Sequence, residues 1–211
     1  MNQEEATLPP AGSGVDVVDA GNRHRTPAEP GIWVFILLDM LIFTEMFVIF
    51  TWYRAENRDL FHGAQQAVDP WYGLLYTMLL LTSSWCVVMA VSAARKRQIG
   101  LAGQLSRWAI GLGAAFAVIK LVEYGTKLAA GITPVTNDFF MFYFVLTIIH
   151  LLHATVGLGV LVFVRRQILT VTTDPAPDGR DRMRVIEAGA VYWHMVDLLW
   201  IVLFALFYLR G

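Results

Sequence analysis

The chain is predicted to be an all-α membrane protein: a polytopic bundle of five transmembrane helices with its N-terminus in the cytoplasm. Three observations carry this. Of 211 residues, 56% are apolar and 16% charged, whereas a soluble domain averages roughly 45–50% and about 25%; mean hydropathy is +0.54. The apolar residues gather into five runs, each longer than the ~18 residues that mark a membrane-crossing helix. Finally, the connecting segments on the N-terminal side hold eleven Lys and Arg, those on the other side four, and Lys120 lies within a span. That bias places the N-terminus inside.

The elements follow in order. Met1–Pro30 is a polar leader with four prolines and mixed charge; it lacks the apolar stretch of a signal peptide and is expected to be disordered. The transmembrane domain occupies 31–211, with spans at about 31–53, 71–94, 106–128, 138–164 and 187–209. Pro30 and Gly31 set the start of the first span, and Thr136, Asn137 or Asp138 can cap the fourth. Trp33, Trp52, Tyr53, Trp71, Tyr72, Trp108 and Tyr208 lie near span ends, where amphipathic rings favour the interface. The longest internal loop, about Arg165–Ile186, is too short to fold alone. With Cys86 replaced by Ser, a cysteine at Gly131 should react with an impermeant maleimide added outside and one at Gln98 should not; the reverse pattern overturns the orientation.

Several function classes drop out. A net charge of −1 does not suit a nucleic-acid partner, which needs a basic face. A single cysteine, Cys86, excludes a disulfide framework or a Cys-rich cluster. There is no internal repeat to suggest an inverted-repeat transporter, and no Gly-rich phosphate loop.

What remains is a set of polar groups at membrane depth, where a charge costs at least about 2.5–3.5 kcal/mol. Asp39, Glu45, Lys120, Glu123 and Asp197 lie within spans, with His150, His153 and His194. At about 1.5 Å per residue from the inner ends, Asp39, His194, Asp197 and His153 form one layer at about 10–16 Å. Glu45, Lys120 and His150 form a second at about 21 Å, with Glu123 nearer the outer interface. His150, His153 and Gly157 share a stripe, as do Glu187, His194 and Asp197. Gly113, Ala117 and Lys120 share a face whose small residues allow close helix approach.

Lys120 and Glu45 are expected to form an ion pair, and Glu123 is placed to snorkel toward the interface. His150 and His153 suit metal or haem ligation and, more simply, hydrogen bonds between helices. A bis-His haem would have only His194 to help, and a copper or di-iron centre needs more ligands than this. Asp39 has no Lys or Arg at its depth. It is either protonated or paired with His153 or His194, as a structural group or as one that handles protons or contacts lipid.

Taken together, these motifs resemble subunit III of the haem–copper oxidases. The run Trp33-Val34-Phe35-Ile36-Leu37-Leu38-Asp39-Met40-Leu41-Ile42-Phe43 is similar to the family's helix with a buried acid, usually Glu, before an aromatic run. Glu123-Tyr124, His150-Leu151-Leu152-His153 followed by Gly157, and Glu187-Ala188 with Tyr192-Trp193-His194-Met195-Val196-Asp197 and Trp200 follow in the family's order. Fuller members have seven helices, and this chain matches the last five. Lys120 stands where oxidase members usually have Gln. Lys120-x-x-Glu123-Tyr124 and the run Gly131–Phe140 look most like the branch accessory to nitric oxide reductase.

The resemblance implies a non-redox subunit of the cell (inner) membrane with no catalytic or metal-binding residues and no haem or metal of its own. It would bind phospholipid and sit beside a haem–copper catalytic subunit, sustaining proton uptake and assembly in a respiratory chain that reduces nitric oxide or oxygen. Two other readings of the same residues are an independent proton or ion carrier using Asp39, Glu45 and Lys120, and a haem-binding cytochrome using His150, His153 or His194.

Overall fold

The computed structural model describes residues 30–170 and 179–209, so the leader through residue 29 lies outside the described residues. Six helices follow in order: α1 (Pro30–Glu56), α2 (Arg58–Gln65), α3 (Pro70–Arg95), α4 (Ile99–Ala129), α5 (Asp138–Thr170) and α6 (Gly179–Phe207). All except α2 are long and apolar enough to cross a membrane, and they match the five predicted spans in order. Three run beyond the predicted limits: α4 begins at Ile99 rather than near 106, α5 continues to Thr170 and α6 begins at Gly179. An apolar run marks the part of a helix that lies in hydrocarbon. The backbone ladder continues past it through polar turns such as those holding Gln104 and Arg165.

Local chemistry sets the ends. Pro30 and Pro70 open α1 and α3, positions where the missing N–H costs nothing. Asp69 caps α3, its carboxylate accepting from the Trp71 N–H at 3.0 Å. At the end of α4, Gly131 adopts φ +78°, while the N–H groups of Gly131 and Ile132 donate to Leu128 and Lys127 carbonyls at 3.0 Å. This left-handed closure favours glycine. Of the three residues proposed to cap α5, Asn137 does so, its Oδ1 accepting from the Phe140 N–H at 2.9 Å.

The helix α2 falls where the sequence predicts only a connection. It is too short and too polar to register as a span, yet Phe61, Gln65 and Val68 are buried at helical spacing. Gln65 Nε2 donates to the carbonyls of Phe207 and Leu209 at 3.3 and 2.8 Å. It thereby satisfies acceptors that the end of α6 would leave free.

The helices α3, α4, α5 and α6 close into a ring, with α3 and α5 each packed against both α4 and α6. Around the fully buried Trp200, Tyr76 and Phe116 stand edge-on at 5.5 and 5.2 Å. Trp193 is pressed between α4 and α5: a Cβ on Gly113 or Gly157 would come within 2.8 Å of its ring. The small residues noted on those faces thus admit an indole. The first span, α1, lies outside the ring against α5 and α6, held by Phe50 on Phe207 at 4.9 Å and Phe43 on His153 at 5.4 Å. It is the least covered span, with 22% of its apolar window buried against 56% for α6.

Candidate functional site

The α2 end of the bundle holds a buried ionic network. Lys120, Glu123 and Lys127 recur at helical spacing on one face of α4. Lys120 is fully buried, and its Nζ donates to Glu123 Oε2 at 2.8 Å, Tyr143 Oη at 2.8 Å and Tyr208 Oη at 3.0 Å. Three donors and three acceptors are thereby matched. Glu123 also accepts from Tyr76 at 3.0 Å and from Tyr143 at 2.7 Å. Tyr143 therefore accepts from the lysine and donates to the carboxylate with one hydroxyl. The rings of Tyr76 and Tyr143 pass within 5.1 and 4.8 Å of Nζ, where their faces attract a cation. Lys127 stands 3.7 Å from Glu123 and donates to the Ala67 carbonyl at 3.2 Å.

This arrangement corrects two expectations. The partner of Lys120 is Glu123, three residues along its own helix, and not Glu45. Glu45 is exposed on the outer side of α1, since α1 stands outside the ring that encloses Lys120. Glu123 is buried among tyrosines and does not snorkel. Chemically the network joins α3, α4, α5, the residue that follows α6 and the connection before α3. Tyr76, Tyr143 and Tyr208 carry it. They escape a sequence reading because a tyrosine in an apolar run looks like ordinary core or an interface anchor.

A second polar set lies toward the other end. His153 Nε2 meets Asp39 Oδ1 at 3.0 Å, joining α5 to α1, so His153 is the partner of Asp39. His153 Nδ1 contacts the Ile149 carbonyl at 2.8 Å. A carbonyl can only accept, so Nδ1 carries a proton. His194 Nδ1 instead hydrogen-bonds Ser84 Oγ across α6 and α3. His150 is fully buried between Phe116 and Trp200 at 5.8 and 5.3 Å. Asp197 is buried on α6. Asp39 Oδ2, both His150 nitrogens and both Asp197 oxygens hydrogen-bond to no described residue. Such groups oppose folding, which makes them candidates for function rather than stability. Glu187 lies apart from this set. It is half-buried about two turns into α6 and accepts from Arg95 Nη2 at 2.8 Å, a bridge to α3 rather than a buried polar group.

The chain as a whole is similar to known proteins. A family model for cytochrome c oxidase subunit III matches residues 21–211. Cytochrome bo(3) ubiquinol oxidase subunit 3 of Pseudomonas aeruginosa is 28% identical over 191 residues, covering 86% of this chain and 84% of its own. Cytochrome c oxidase subunit 3 of Synechocystis sp. is 32% identical over 183 residues, covering 85% and 74%. Quinol oxidase subunit 3 of Bacillus subtilis is 26% identical over 187 residues, covering 86% of both chains. With its five membrane-spanning helices and this match over nearly its whole length, the chain is a multi-pass membrane protein that belongs to the cytochrome c oxidase subunit III family.

Proposed function

We propose that this chain is a non-redox accessory subunit of a respiratory reductase in the cell (inner) membrane, seated beside a haem-bearing catalytic subunit. Its role is to support assembly, lipid binding and sustained proton uptake by that partner. The observation that carries this reading is how the three intramembrane imidazoles are used. His153 faces Asp39, His194 faces Ser84 and His150 lies between two aromatic rings. Three divergent imidazoles do not make a pair of axial ligands, which weighs against the cytochrome alternative. The burial of Lys120 within its own network weighs against the carrier.

Nitric oxide is the acceptor we favour, because Lys120-x-x-Glu123-Tyr124 is the element that sets this chain apart from oxidase members. Oxygen is the second reading, favoured by relatives that are subunits of quinol and cytochrome c oxidases. The test is a tagged chain purified from native membranes in mild detergent. A haem spectrum should copurify, with its Soret band in the partner polypeptide. Membranes lacking this chain should lose nitric oxide consumption under turnover faster than oxygen consumption. A preparation without haem protein overturns the reading, and selective loss of oxygen consumption moves the chain to an oxidase.

A further inference from the structure

Glu45 lies 14 residues from the start and 8 residues from the end of the predicted first span, 31–53, so the nearer end is about 12 Å away. A glutamate side chain cannot bridge that distance to the headgroup layer. Its carboxylate is exposed, and around it Leu38, Leu41, Val48 and Trp52 form an outward stripe 57–66% exposed. Donors on the same side of α1 are already engaged. Thr44 and Thr51 donate to the carbonyls of Met40 and Phe47 at 2.7 and 2.8 Å, and Trp52 Nε1 donates to Glu56 at 3.0 Å. Among the described residues, Glu45 is the acidic or basic side chain that lies deep in a span and yet faces outward. The outer face of α4 makes a useful contrast: Val118, Leu121 and Val122 are 58–60% exposed and wholly apolar.

An acidic group facing acyl chains is costly and is expected to find a partner. Lipid tails offer no donor. A second copy packed α1 on α1 would set carboxylate against carboxylate. The complement that fits is a helix with a positive or hydrogen-bond-donating side chain at mid-depth. We propose that the outer stripe of α1 is the docking face for one transmembrane helix of the haem-bearing catalytic subunit. That helix places a Lys, Arg, His, Asn or Gln side chain opposite Glu45. The inference rests on the accessory-subunit reading and adds the face and chemistry of the contact.

The experiment uses the assembled complex in native membranes. A photoreactive benzophenone residue is placed at Val48, on the stripe, or at Val122, on the apolar face of α4. After irradiation, Val48 should crosslink to the haem-bearing subunit at a transmembrane peptide containing one of those donors, and Val122 should not. In parallel, Glu45→Lys should lower the amount of this chain recovered with the haem protein at least tenfold, while Glu45→Gln keeps most of it. Glu45 touches nothing inside the bundle, and the crosslink reports independently of any variant that fails to insert. Crosslinks from Val48 to a second copy or to lipid alone, or full recovery of Glu45→Lys, overturn the docking face while the haem protein still copurifies. If wild-type chain brings down no haem protein, the functional reading falls and this inference with it.

Discussion

Replacing Lys120 by methionine should destabilise the bundle by about 3–5 kcal/mol, the range for stranding one member of a buried ion pair. Glu123 would keep its hydroxyl donors from Tyr76 and Tyr143. Lys127, at 3.7 Å, would be its remaining cation, which holds the loss toward the lower end. Lys120→Met combined with Glu123→Gln should recover part of it, because the second change removes the stranded charge. Lys120→Met combined with Glu45→Gln should recover none, because Glu45 lies outside the ring. The measurement is the thermal midpoint of the folded chain in detergent, followed by size-exclusion for these three variants and for Glu123→Gln alone. Losses that add for Lys120 and Glu123 would show the two groups to be uncoupled. Tyr143→Phe offers a milder check. It removes a hydroxyl that both groups share, as they also share that of Tyr208, and should cost about 1.5–3 kcal/mol, the range for hydrogen bonds to charged groups.

That the pairing lies within α4 also marks where sequence reasoning stops. Counting residues from span ends gives depth, and depth correctly placed Asp39 with His153 in one layer. It also placed Lys120 with Glu45, because both lie near the middle. Depth says nothing about which helices are neighbours or which way a face points. Here α1 stands outside the ring formed by α3 to α6, so a shared level brought no contact. Spacing along a single helix was the missing constraint: Lys120 and Glu123 stand at i, i+3, where side chains meet. The five spans were legible because membrane length and hydropathy define them almost alone. The helix α2 was not, since its eight residues form part of a connection and are fixed by tertiary contacts through Phe61 and Gln65. His194 shows a further limit. Its depth suited Asp39 as well as His153 did, and only the placement of α3 beside α6 sends it to Ser84.

The second large effect concerns Asp39 and His153, and it follows from the geometry of their contact. With Nδ1–H directed at the Ile149 carbonyl, a neutral imidazole presents Nε2 as an acceptor. An asparagine amide at position 39 can donate to it, so Asp39→Asn should preserve the link between α1 and α5 and leave stability near wild type. His153→Leu removes the partner and leaves a buried carboxyl group with neither oxygen satisfied, since Oδ2 already lacks a partner among the described residues. That change should cost about 1–3 kcal/mol, the penalty for an orphaned buried polar group. His153→Leu with Asp39→Leu should regain most of the loss, because exchanging both partners for apolar groups of similar shape is close to neutral. Turnover separates a structural pair from one that moves protons. Asp39→Asn retains the contact and removes the titratable carboxyl group. If the pair supplies protons to the partner subunit, the assembled complex should keep its haem content yet lose activity several-fold at high pH, where bulk protons are scarce. Near neutrality it should stay close to wild type. Equal activity of Asp39→Asn and wild type across the pH range would leave Asp39 and His153 as a clasp that holds α1 against the ring.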